Sequence, residues 1–361
     1  MADSGLLSAS SPVVSIDGLR QPDLARDLLR LDIEESTDQL RTLALHLVGN
    51  PNGPQPGTDV VEYLDGRILD LGRRIEVSLG PAGNEKIVFT GAISALEVSF
   101  EEGDIAHITA RAEDELMKLR MTQRSATYER VTDGDLVRTI AGHHGLTPQI
   151  AADGPTYDLV HQANQSDLAF LRARAHGLAA ELWALDGVLH FATRDRRAGT
   201  AVTLTRGAEL LAVNARADLA HQCTGVKVSG FDAASRDRID AEAPGSTVDA
   251  EVSGGRTGPQ TLRKAFGELP GQCATTVPLA VPEARARAKA ELLRRARRFV
   301  TVAGTTAGTP QLVVGSRVTL ARCGRPFDGD GYYTTRIHHS YDLKRGARTR
   351  FEAERPTVST N

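Results

Sequence analysis

Two pairs of adjacent histidines, His143-His144 and His338-His339, are of the residue type that holds metal ions. Neighbouring side chains project about 100° apart on a helix and to opposite faces of a strand, so neither pair chelates one ion by itself. No cysteine or carboxylate cluster completes a pair at metal-ligand spacing. The turn PFDGDG, with Asp328 and Asp330, faintly resembles a calcium loop. It lacks the Asp/Asn–Gly–Glu frame over about twelve residues, and a hairpin turn is the better reading. GxSxG elbows, HExxH and Walker A loops are absent, and no pair of carboxylates is nominated for acid–base work. The expectation is no catalytic, cofactor-binding or metal-binding residue, and no cofactor.

A basic helix is the other chemical candidate. In PEARARAKAELLRRARRF, Arg285, Arg287, Lys289, Arg294, Arg295, Arg297 and Arg298 outnumber Glu283 and Glu291, a pattern that a polyanion contact can use. The whole chain has a net charge of −3 and only 4% aromatic residues, which leaves little basic field or stacking surface around it. A solvated or inter-subunit helix face is expected, and no nucleic-acid partner.

The elements that carry these residues are mostly strands. Leu29, Leu31 and Ile33 alternate with Arg30, Asp32 and Glu34; Leu43, Leu45, Leu47 and Ile75, Val77, Leu79 repeat the pattern. In IVFTGAISALEVSF, Ile87, Phe89 and Ile93 share one parity while Leu96, Val98 and Phe100 share the other, which predicts a bulge or sharp bend. VTDGDLVRTIAGHHGL predicts a helix capped by Thr132 with Asp135 three residues on and Gly145 as its stop. QSDLAFLRARAHGLAAELWALDGVLHF predicts a second helix, capped by Ser166, faced by Leu168, Leu171 and Ala175 and stopped by a left-handed Gly177. An Asp186-Gly187 hairpin follows. Arg172, Arg174 and Glu181 read as its solvated face.

Strands return in AVTLT, ELLAVNARA and CTGVKVSGFD; residues 240–260 are rich in turn formers and predict a mobile loop or the edge of an insertion. Pro282 opens the basic helix, with Ala284, Ala288, Leu292, Ala296 and Phe299 as its apolar stripe. The expected organisation is an N-terminal tail (1–13), a first β-barrel (14–122), an α+β module (123–200), a second β-barrel (201–239 and 300–357) and a loop-and-helix insertion (240–299).

At 361 residues the chain exceeds one ordinary core. Three cysteines, Cys223, Cys273 and Cys323, fit a reducing compartment without a disulfide framework. No apolar run reaches the ~20 residues that span a bilayer, and the N-terminus lacks a secretory signal. Synthesis in the cytoplasm without membrane insertion is expected.

The helix–hairpin stretch from Gln165 to Phe191 resembles a signature of the phage late control D family of tail hub proteins, shared with the N-terminal half of VgrG spike proteins of type VI secretion. VTDGDLVRTIAGHHGL resembles that family's preceding helix. The run from Gly308 to Pro356 resembles its closing barrel, with Gly315, Gly329, Tyr333, His338 and Arg355 at similar landmarks. The likeness extends from about residue 20 to 356.

The resemblance implies an α+β, mostly β chain. It would carry two tube-like antiparallel β-barrels, an α+β module and a helix-containing insertion, assembled as a homotrimeric baseplate hub. Three chains would present six barrels, joining a sixfold inner tube to a threefold spike. The implied partners are tube proteins, a separate spike protein, and wedge or adaptor proteins, in a phage tail or phage-like injection particle that is released with it. VgrG proteins continue into a spike whereas this sequence ends at Asn361, which suggests a hub-only subunit. Two other readings stay open: a hub with peptidoglycan hydrolase activity, and a nucleic-acid-binding module using the basic helix.

Overall fold

The computed structural model describes residues 11–49, 61–102, 104–232, 235–273 and 280–360. Residues 1–10 of the expected N-terminal tail lie outside them. The first lobe contains β1 (Val13–Ile16), β2 (Leu19–Arg20), α1 (Pro22–Arg26), β3 (Leu28–Ser36), β4 (Thr42–Val48), β5 (Arg74–Leu79), β6 (Lys86–Ser99) and β7 (His107–Glu113). The α+β module follows as α2 (Leu116–Met121), β8 (Gln123–Val131), α3 (Asp133–His143), β9 (Thr147–Ala151), β10 (Tyr157–Ser166), α4 (Asp167–Gly177), β11 (Ala180–Leu185) and β12 (Val188–Thr193). The second lobe opens with β13 (Ala201–Thr205) and β14 (Leu210–Ala217). An insertion then runs through β15 (Gly225–Asp232), β16 (Asp237–Pro244), a 3-10 turn (Gly245–Glu251), β17 (Arg256–Thr257), α5 (Gly258–Phe266), β18 (Gly271–Cys273) and α6 (Val281–Arg297). The second lobe resumes with β19 (Val300–Ala307), β20 (Arg317–Ala321), β21 (Gly329–Asp342), β22 (Gly346–Arg355) and β23 (Thr357–Val358). The chain is α+β and mostly β.

The first lobe's strands lie in the order β3-β4-β7-β6-β5-β1-β2, antiparallel throughout. Alternation drives it: Leu43, Leu45, Leu47, Ile75, Val77 and Leu79 are buried while their neighbours are not. On β3 the register slips between Leu28 and Arg30. Leu28, rather than the expected Leu29, therefore takes the core place beside Leu31 and Ile33. The parity change on β6 is a bulge between Ile93 and Ala95, which puts Ile93 opposite Ala112, Leu96 opposite Ala110 and Val98 opposite Ile108.

Val14 and Ile16 at one end of this strand order share one core cluster with Leu31 and Ile33 near the other, so the sheet curls on itself. It does not close by strand pairing: among the described residues β1 and β3 are unpaired with each other. Between them in sequence lies α1, whose Leu24 is fully buried in the same core.

The second lobe repeats the plan as β14-β19-β22-β21-β20-β13, its last pair parallel. The two lobes are not separate cylinders, as expected for two barrels. They share one thirteen-stranded sheet, because the C-terminal half of β21 pairs with β3 from Arg336↔Ser36 to Asp342↔Arg30. Each lobe keeps its own core.

The module has a two-stranded ribbon, β8–β10, and a small sheet β11-β12-β9. Its core joins Leu136, Val137 and Ile140 of α3 to Leu168, Leu171 and Phe191. Thr132 and Asp135 form a capping box, and the Ser166 side chain accepts the Ala169 N–H. Gly177 ends α4, but the left-handed residue is Ala179 (φ 56). Asp186 (φ 49) and Gly187 (φ 77) make the expected two-residue turn.

The insertion departs from expectation. β15 pairs with β16 on one side and β18 on the other, not with the second lobe's sheet. They bury Val226, Val228 and Ile239 against Ala284, Ala288, Leu292 and Ala296 of α6. The predicted mobile loop at 240–260 is ordered into β16, the 3-10 turn with fully buried Val248, β17 and the start of α5. Small alanines give α6 close approach to a hairpin, which holds a segment whose turn formers read as a loop.

Candidate functional site

A buried charged junction lies where the two lobes meet the module. Glu181 on β11 is 7% exposed. Its carboxylate accepts Arg194 Nε at 2.9 Å, Arg197 Nη1 at 3.0 Å and the Tyr333 hydroxyl at 2.6 Å. Arg197 Nη2 donates to Glu35 of β3 at 2.8 Å, and Arg41 Nε donates to the same Glu35 at 3.1 Å. Arg194 also donates to Glu354 of β22. The guanidinium groups of Arg194 and Arg317 lie over the Tyr333 ring, each 4.5 Å from its centroid. Arg197 lies 4.5 Å over Trp183, on which His190 also stacks at 4.7 Å. Gly315 (φ +93) lies against the Arg197 stem, where a Cβ would come within 3.0 Å of it.

Burial pushes the Glu181 carboxyl up, but Arg194, Arg197 and the Tyr333 hydroxyl outweigh it and hold it below its ordinary range. Burial, with the Glu181 charge, raises the Tyr333 phenol. Glu181 is thus an ionised acceptor already engaged by three donors, which suits neither a general acid nor a nucleophile. An adjoining cleft of about 870 Å³ is lined in part by Asp38, His176, Arg194, Arg297 and Glu354. These groups are already paired: Asp38 with His176, Arg297 with Glu251, and Arg194 with Glu354. The geometry ties three units together.

This corrects the solvated-face reading of Arg172, Arg174 and Glu181. Arg174 Nε is paired with fully buried Asp133, and its guanidinium lies 4.2 Å over Tyr157. The Nε and Nη2 of Arg172 are buried. A signal was present on β11, where Glu181 shares its parity with Trp183 and Leu185, an apolar face that no carboxylate enters without partners.

The histidine pairs diverge as their backbone geometry requires. His144 Nε2 lies 2.8 Å from Asp167 Oδ2, and Asp167 also takes Arg124 and Gln162. His338 reaches Asp32 at 2.8 Å, while buried His339 meets Thr349 at 2.9 Å. Burial lowers His339 to about 3. Among the described residues no group of three or more His, Cys, Asp or Glu is placed to hold a metal ion.

The PFDGDG turn is filled by a guanidinium. Arg355 donates to the backbone oxygens of Thr357 (2.8 Å), Asp330 (3.0 Å) and Pro326 (3.0 Å), and lies 4.3 Å over the Tyr332 ring. The Asp328 carboxylate accepts the Cys323 N–H at 2.7 Å. On α6, Arg287 pairs with Glu283, Arg294 and Arg295 with Glu291, and buried Arg297 with Glu251. Arg285, Lys289 and Arg298 are exposed. No helix among the described residues is long and apolar enough to cross a membrane.

With two curled lobes, a capped module and a junction of ion pairs, the chain has the fold of phage tail proteins. The 43 kDa tail protein of prophage MuSo2 from Shewanella oneidensis matches with a TM-score of 0.70 at 15% identity, over 96% of this chain and 98% of that one. The tail protein from Neisseria meningitidis MC58 matches at 0.66 and 15%, over 95% and 96%. An E. coli component of the type VI secretion system, described as structurally similar to the bacteriophage T4 tail proteins gp27 and gp5, matches at 0.55 and 13%, over 96% and 77%. The chain belongs to the Alg8 N-terminal domain family, whose model matches residues 25–342. Comparison of the sequence with curated proteins returned no match.

Proposed function

We propose that the chain is a structural, non-enzymatic baseplate hub subunit of a contractile phage tail or phage-like injection particle. The observation that carries this reading is one strand plan used twice in a chain, its two copies joined in a continuous sheet. Three such chains supply six tube-like lobes, which lets a sixfold inner tube meet a threefold spike. The tail-protein fold over nearly the whole chain and the late control D resemblance support the same role. Tube proteins would bind one side of the ring and a separate spike the other, with wedge or adaptor proteins around it.

Co-expression with the tube and spike proteins from the same gene neighbourhood tests the reading. Co-purification of both with a species of three chain masses is expected. A chain that stays monomeric and retains neither protein overturns it. Incubation with purified peptidoglycan is expected to release no soluble muropeptides, and release would favour the hydrolase reading instead.

A further inference from the structure

The cleft beside the charged junction is walled by every part of the chain. The β3–β4 turn contributes Asp38, the module His176 and Ala179, α6 its C-terminal end, and the second lobe residues of β14, β19, β21 and β22. Its inner charges are engaged with one another, but its floor and rim are of a different kind. Ala179, Ala290, Val302, Ala303 and Ala353 give it a floor of small apolar side chains.

Arg216, Arg294, Arg298 and Arg336 stand around that floor. The side chains of Arg216, Arg294 and Arg336 are 70%, 60% and 43% exposed. The carboxylates that hold these three, Asp218, Glu291 and Glu34, do not line the cleft. Arg298 is exposed and has no carboxylate partner among the described residues. The rim therefore keeps an excess of positive charge, four guanidiniums against the carboxylates of Asp38 and Glu352. His176 already holds Asp38 at 3.0 Å.

We propose that this cleft is a docking site for an acidic segment of a partner protein, an extended chain of small apolar residues interrupted by Asp or Glu. The small side chains lie on the alanine floor, where burial adds apolar contact to the charge pairing at the rim. A volume of about 870 Å³ admits a few residues of extended chain and no duplex. Single-stranded nucleic acid is the rival polyanion, and the lining disfavours it. Among the described residues no Phe, Tyr or Trp lines the cleft for base stacking. A phosphate chain is charged at every nucleotide and meets repulsion at Asp38 and Glu352, whereas a peptide can place neutral residues there. The proposal deepens the hub reading by naming the chemistry of one docking segment, and it is testable without that reading.

Fluorescence anisotropy of the full chain with a labelled peptide alternating Glu and Ala tests it. Saturable binding that weakens as salt is raised is expected, with none for the matching Gln-Ala peptide. Arg294→Glu and Arg298→Glu together are expected to weaken binding about tenfold. Arg285→Glu and Lys289→Glu, the same charge change on the same helix but outside the cleft, are expected to leave it unchanged. Ala303→Trp, at an exposed position on the floor, is expected to abolish binding without altering charge. Circular dichroism checks that each variant folds. No saturable binding, equal weakening by both charge pairs, or binding undiminished by Ala303→Trp overturns the proposal. Tighter binding of single-stranded oligothymidylate, lost in the Arg294→Glu and Arg298→Glu chain, overturns it in favour of a nucleic acid. A chain that takes the peptide but retains neither tube nor spike protein keeps this site and loses the hub role alone.

Discussion

Glu181 sits among guanidinium groups of its own module and accepts the Tyr333 hydroxyl of the second lobe, so its loss leaves Arg194 and Arg197 buried with one carboxylate each, Glu354 and Glu35. Glu181→Ala is expected to lower the unfolding free energy by about 3–5 kcal/mol, read from denaturant midpoints. Its depressed carboxyl contributes stability above the unfolded value near 4, and loses it as pH falls further. Asp114 behaves oppositely. It keeps some exposed surface, yet burial pushes it up to about 6 against the Arg41 and Leu116 N–H groups it accepts. A carboxyl raised in the native state binds its proton there first, so its share of stability falls as pH rises from about 4 through 6. Asp114→Asn is expected to remove that decline, measured as the difference from the parent chain between pH 4.5 and 7.5. Beyond the parity of Glu181 with Trp183, neither environment was legible in the sequence: Tyr333 lies 152 residues from Glu181 and Arg41 lies 73 from Asp114, and periodicity carries no information on such partners.

At the scale of elements, local rules were readable and tertiary overrides were not. The Thr132 and Ser166 caps, the Asp186-Gly187 turn and the β6 bulge each follow from a few adjacent residues, and the fold keeps them. The left-handed position after α4 falls on Ala179 instead of Gly177 because the helix runs to Gly177 and turns only after it. Ala179→Gly is therefore expected to be neutral to stabilising, by about 0.5 kcal/mol in thermal unfolding, since it relieves a Cβ at positive φ. Gly91→Ala is expected to cost at least 1–3 kcal/mol by the same assay. There an added Cβ meets the Glu113 backbone oxygen and the Phe89 ring at 2.3 and 2.6 Å. The insertion was misread because turn-forming residues in 240–260 are recruited by α6, whose alanine stripe was legible while its packing partner was not.

At the scale of the molecule, β21 is the common strand of both lobes, pairing with β20, β22 and β3 in turn. The two lobes and the module are expected to unfold in one calorimetric transition, and two resolved transitions would show that the shared sheet does not couple them. The alternation of strands disclosed two β regions; their fusion through a pairing 300 residues apart in sequence did not follow from any local pattern. The turn held by Arg355 has a practical consequence. Its backbone oxygens already serve a permanent cation anchored by covalent bonds, so they gain nothing from a divalent ion in the medium. Chelators should leave the melting temperature unchanged, whereas Arg355→Met should lower it and loosen the β20–β21 connection. The fold at this turn would therefore hold its shape through swings in calcium concentration.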